Sequence, residues 1–224
     1  MNEEEKDLLP STTPQETAID VAAALASIVP WVGGPVGAVL AGMSLTRKIN
    51  RVREVLINMA EQIKDFQLEA SEKYVKTEDF QDLLEKTLRQ VADERDETKR
   101  EAYAAFLAND IKSPGEPYDE KVRILRTLEE VQADHIRLLK ALLQEPDLKF
   151  AETMVTGSIS QTLRRRLRDM SPERIADLAH QLVDMRLAEL SSLNTTMTAR
   201  GAEDLRSRIT TYGHRFIQYI IAAS

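Results

Sequence analysis

Between positions 49 and 66 the apolar residues Ile49, Val52, Leu56, Met59, Ile63 and Phe66 recur at alternating steps of three and four. That spacing keeps one side of a helix apolar at two positions per heptad, so a long helix with a narrow packing seam is predicted. Arg, Glu, Gln, Lys and Asp fill the positions between. A second helix is predicted from Thr77, which can cap it, through Phe80, Leu84, Leu88 and Val91. We expect it to continue across the charged run DERDETKRE at 93–101 to Tyr103, Phe106, Leu107 and Ile111. The signs in that run alternate, so it reads as a solvated helix face held by i,i+4 pairs. These segments together predict an antiparallel helical bundle.

Beyond residue 117 the periodic stretches are shorter. A helix is expected near 119–131. Another follows in HIRLLKALLQ, with Ile136, Leu139, Leu142 and Leu143 inward. Ser158 to Gln161 forms a capping-box pattern opening SISQTLRRRL, with Ile159, Leu163 and Leu167 inward. Ser171-Pro172 starts a third helix that buries Ile175, Leu178, Ala179, Leu182 and Met185. LAELSS then predicts a short strand, residues 194–201 a turn, and 208–213 a second strand ending at Gly213. Phe216, Ile217, Ile220 and Ile221 mark a closing helix.

One stretch breaks this amphipathic rule. From Val21 to Met43 there are 23 residues without a charge. Pro30, Trp31, Gly33, Gly34 and Pro35 sit in its middle, where proline and glycine interrupt a continuous helix. A hairpin of two apolar arms is therefore expected at 21–43, entered through a capping box at Thr13-Pro14-Gln15-Glu16. Three readings stay open for it: a hairpin buried in a bundle, a segment that inserts reversibly into membrane, and a permanent transmembrane helix. Arg47, Lys48, Arg51 and Arg53 follow the stretch, and the 20 residues before it sum to −5, a bias that places the following chain in the cytoplasm if it meets a membrane. No basic region precedes it, so it is not read as a signal peptide.

Charge divides the chain. Residues 1–120 hold 14 Lys+Arg against 24 Asp+Glu, a net −10, whereas 121–224 carry +3. The change falls at Ser113-Pro114-Gly115-Glu116-Pro117, which predicts a joint. The expected layout is an acidic tail at 1–12, a helical domain at 13–115 and a second domain at 118–224. With 224 residues and 42% hydrophobic content the chain can bury a core. The absence of cysteine excludes disulfide scaffolds, thiolate metal sites and thiol catalysis. His135, His180 and His214 are far apart and have no acid at a catalytic spacing. No P-loop, dinucleotide fingerprint, nucleophile elbow or HExxH occurs. We therefore expect no enzyme and no cofactor.

The order helix, helix, helix, strand, polar loop, strand, helix over 130–224 resembles a winged helix-turn-helix domain. LLKALLQ, SPERIADLAHQLVDMRLAEL and ITTYGHRFIQYI carry that likeness. In such a domain the third helix would enter a DNA groove. Its outward residues Glu173, Arg174, Asp177, Gln181 and Asp184 are net acidic, and residues 191–199 hold no Lys or Arg, which disfavours nucleic acid. Arg164, Arg165, Arg166 and Arg168 form the one dense basic cluster. They read either as a solvated face paired with acids such as Asp169 and Glu173 or as a contact for an anionic partner.

Over most of its length the chain also resembles bacterial abortive-infection helical proteins of the Abi-alpha-like kind. SIVPWVGGPVGAVLAG, DETKREAYAAFLAND and LEEVQADHIRLLKALL carry that likeness. It implies an interaction or membrane-directed role in phage defence and supplies no catalytic residue. The expected fold is mainly α, an N-terminal helical hairpin and long-helix bundle followed by a winged-helix-like α+β domain. The expected function is non-enzymatic: a protein partner or a homo-oligomer, and membrane contact through 21–43. The alternative is a DNA-binding regulator. A cytoplasmic location, peripheral or integral at the inner membrane, goes with the first.

Overall fold

The computed structural model describes residues 36, 45–63, 73–190 and 192–221. The expected acidic tail and hairpin, with Pro30, Trp31, Gly33, Gly34 and Pro35, lie outside them, as does Phe66. Of 21–43 only Val36 is described, helical and buried. No helix among the described residues is long and apolar enough to cross a membrane. The protein is mainly helical, with a small two-stranded sheet. It divides into two compact units, one of residues 1–95 and 103–118, the other of 96–102 and 119–224.

In the first unit, α1 (Thr46–Ile63) packs on α2 (Glu78–Asp93). The seam is as its spacing predicts, with Ile49, Val52, Leu56, Met59 and Ile63 buried and Val55 and Ala60 widening it. Thr77 caps α2 by accepting the Phe80 N–H at 3.3 Å, and Phe80, Leu84, Leu88 and Val91 are buried. Arg51 donates to the Ala92 carbonyl at 3.0 Å, satisfying an oxygen at the C-terminal end of α2.

The charged run does not continue α2. The helix stops at Asp93, residues 94–96 are non-helical, and α3 runs from Glu97 to Lys112. Asp96 explains the break: its carboxylate accepts the Lys99 N–H at 3.2 Å, so it opens α3 as an N-cap. Nor is α3 amphipathic, because every residue from 102 to 111 is buried. Its sequence, rich in alanine, suits a helix enclosed on all sides. Asp110 lies within that stretch, and the Tyr74 hydroxyl donates to its carboxylate at 2.9 Å.

In the second unit, α4 (Tyr118–Glu130) and α5 (Ala133–Leu143) follow the predicted spans. Then come α6 (Leu148–Glu152), β1 (Thr156–Gly157), α7 (Ile159–Arg166), α8 (Pro172–Asp184), β2 (Met197–Thr198), α9 (Ala199–Glu203) and α10 (Thr211–Ile220). β1 and β2 pair antiparallel, Thr156 opposite Thr198 and Gly157 opposite Met197.

The two strands expected at 187–192 and 208–213 shrink to one isolated antiparallel bridge between Ala188 and Ile209. Arg206–Arg208 forms a 3-10 turn, and α10 begins at Thr211, capped by the Thr210 hydroxyl, which accepts the Gly213 N–H at 2.8 Å. Gly213 therefore lies in a first helical turn, where a Cβ would stand 2.0 Å from the Leu187 carbonyl oxygen. That approach needs glycine.

Candidate functional site

Around β1 the second unit gathers small residues, an ion-pair network and exposed apolar side chains. Three short elements enter with their own caps. Asp147 accepts the Phe150 N–H at 3.0 Å to open α6, Ser158 accepts the Gln161 N–H at 3.3 Å to open α7, and Thr198 accepts the Gly201 N–H at 3.2 Å to open α9. On α7 the residues Thr162, Arg165 and Arg166 are three and four apart and share a face. Ala199, Ala202 and Glu203 do the same on α9. Gly157 lets β1 approach α9, since a Cβ there would meet the Ala202 Cβ at 3.1 Å.

Where these faces meet, Glu203 is buried and fully engaged. Its Oε1 accepts from Arg165 at 2.5 Å and from the Thr162 hydroxyl at 3.0 Å. Its Oε2 accepts from Arg166 at 3.3 Å and from the Asp147 N–H at 3.4 Å. Burial pushes its carboxyl up, but the hydrogen bonds from Arg165 and Thr162 outweigh that and hold it below its ordinary value. A carboxylate with four donors and no open lone pair is a structural anion, not a general base.

The basic cluster resolves into separate roles. Arg166 is buried. It donates to the carbonyls of Ala141 at 2.8 Å and Gln144 at 3.2 Å, closing the C-terminal end of α5, and to the Glu203 carbonyl at 3.0 Å. Arg165 spans Glu203 and Asp147, and its guanidinium lies 4.3 Å over the Phe150 ring. Arg164 and Arg168 are exposed. The acids that answer the cluster are Asp147 and Glu203, while Asp169 pairs with Arg137 on α5 at 2.6 Å. Glu203 lies 37 positions from Arg166, so only the folded chain reveals the pair.

Against this network lies a cavity of about 240 Å³ lined mainly by Phe150, Met154, Gly157, Arg165, Ala199 and Ala202. Its mouth is apolar. Among the described residues the exposed large hydrophobic side chains are Leu45, Leu148, Phe150, Met154 and Val155, so four of five fall within 148–155. Val155 is 90% exposed. The sequence signal for this site was slight: an uncharged stretch, MVTGSIS, with no helical period.

The three histidines stay apart. His180 and His214 are exposed. His135 is buried, and its Nδ1 accepts the Gln132 N–H at 2.9 Å, so Nε2 carries the proton and donates to Gln181 at 2.7 Å. No group of acids and histidines among the described residues can hold a metal ion. Compared with protein-family models, with curated proteins and with solved structures, the chain matches none.

Proposed function

We propose that the protein is a non-enzymatic interaction protein whose second unit docks a partner protein at the apolar cavity beside β1. Exposed Leu148, Phe150, Met154 and Val155 fall within eight consecutive residues, two of which, Phe150 and Met154, line the cavity, and this concentration carries the reading. Soluble chains scatter such side chains, and a cluster of them beside a pocket is the mark of a contact surface. In this proposal the unit is a winged-helix variant with a much reduced wing. The order α5, β1, α7, α8 and the Ala188–Ile209 bridge support that view.

DNA readout is disfavoured. On α8, Glu173, Asp177 and Asp184 are exposed, and Arg174 pairs with Asp134 at 3.0 Å, so the face that would meet phosphates is acidic. A place in phage defence rests on the resemblance of the three segments quoted above and belongs to the same proposal, as does membrane contact through 21–43.

The test is affinity purification from cells that naturally express the chain, wild type beside a Met154→Asp, Val155→Asp double variant. Both side chains are exposed, so the helical circular-dichroism spectrum should be unchanged. A partner retained by wild type and lost by the variant is the expected result. The same set of proteins on both would overturn the reading.

A further inference from the structure

We propose that the occupant of this site is an extended peptide segment of a partner, carrying an apolar side chain for the cavity and an acidic residue for Arg165. The inference rests on the docking reading above and gives it a ligand chemistry.

The size of the cavity selects the first element. About 240 Å³ falls below the roughly 300–1,000 Å³ of pockets that enclose a whole small molecule. It suits one branched or aromatic side chain.

The strand selects the backbone. β1 pairs on one side only, with β2. Outside that ladder, the backbone of residues 155–157 makes no hydrogen bond within the described residues. Residues 154–157 carry no charge and no proline, two of the usual guards against strand addition, and leave only the shortness of β1 to oppose it. An extended peptide laid along it would gain ladder hydrogen bonds and place alternate side chains toward the cavity.

Charge selects the last element. At the cavity wall Arg165 is 27% exposed and Glu203 only 3%, so the pair shows its cation to solvent. Exposed Arg164 and Arg168 share its neighbourhood on the chain. The Nε of Arg165 is buried without an acceptor, and its second anion, Asp147, is held only at 3.4 Å. A ligand carboxylate would meet the part of the Arg165 guanidinium that Glu203 and Asp147 leave open to solvent.

Fluorescence anisotropy with the full chain tests this, using a labelled peptide of alternating leucine and glutamate and a second of alternating leucine and lysine. The expected result is at least tenfold tighter binding of the glutamate peptide, weakened about tenfold by Val155→Asp with an unchanged thermal midpoint. Equal binding of both peptides would overturn the acidic preference while leaving the docking reading intact. Binding of neither, while the native partner is still lost by the Met154→Asp, Val155→Asp variant, would overturn the extended occupant alone. A concentration-dependent dimer in sedimentation that Val155→Asp disperses would overturn it in favour of a second copy.

Discussion

Glu203 accepts four hydrogen bonds, from Arg165, Thr162, Arg166 and the Asp147 N–H. Removing it by Glu203→Ala leaves Arg166 buried opposite no anion, and breaking such a pair costs about 3–5 kcal/mol. Urea denaturation should show that loss, and Arg164→Ala, at an exposed position, should show almost none. Gly213 is limited by space instead. Because a Cβ would stand 2.0 Å from the Leu187 carbonyl and 2.9 Å from Ile209 Cγ2, Gly213→Ala forces α10 away from the end of α8. Overpacking of this kind costs about 1–3 kcal/mol, and backbone on one side of the clash puts this site at the upper end. Arg186 offers the opposite sign. It holds a left-handed conformation, φ 58°, one residue past the α8 cap. A side chain there is strained where glycine is not, so Arg186→Gly should stabilise by about 1 kcal/mol in the same assay.

At the scale of elements, the helices that read clearly were those whose apolar residues keep a period of three and four. That holds for α1, α2, α5, α7 and α8, and in the last four a cap points the same way as the buried face. The break between α2 and α3 was harder to see, because alternating charges support a continuous helix as readily as a cap does. The structure assigns Asp96 to the cap. Asp96→Ala should therefore cost about 1 kcal/mol and lower helix content only slightly. An unbroken α2–α3 helix would be indifferent to that change or gain from it. β1, β2, α6 and α9 span two to five residues each, too short to carry a period. Their existence depends on pairing across 40 to 42 positions, between Thr156–Gly157 and Met197–Thr198, so neither partner marks itself locally. The cavity proposed as a docking site is lined from α6, residues 154–157, α7 and α9, and of these only α7 keeps a legible period, which is why the basic cluster could be seen in the sequence and its surroundings could not.

At the scale of the whole molecule, acid should act through two groups of the second unit in separate windows. Burial, only partly offset by the hydrogen bond to Gln181, holds His135 below its ordinary value, with Arg174, Asp134 and Lys99 facing it. Unfolded histidine titrates near 6.5, so the unfolded chain takes up a proton first. The stability His135 supplies is complete above about pH 6.5 and is lost as pH falls toward its folded value. Glu203 is also held below its ordinary value, and its contribution is present above about pH 4.5 and lost as pH falls through the folded value. Urea midpoints followed from about pH 7.5 to about pH 3 should fall in two stages, the first removed by His135→Gln and the second retained. The buried Arg166 has one more consequence, in the order in which protection against hydrogen exchange arises. α5 and α7 cannot form a lasting pair on their own, since bringing them together encloses a guanidinium whose anion sits on α9, 37 positions along the chain. Their amides should therefore stay open to exchange until α9 arrives, and then close with it as a single cooperative block.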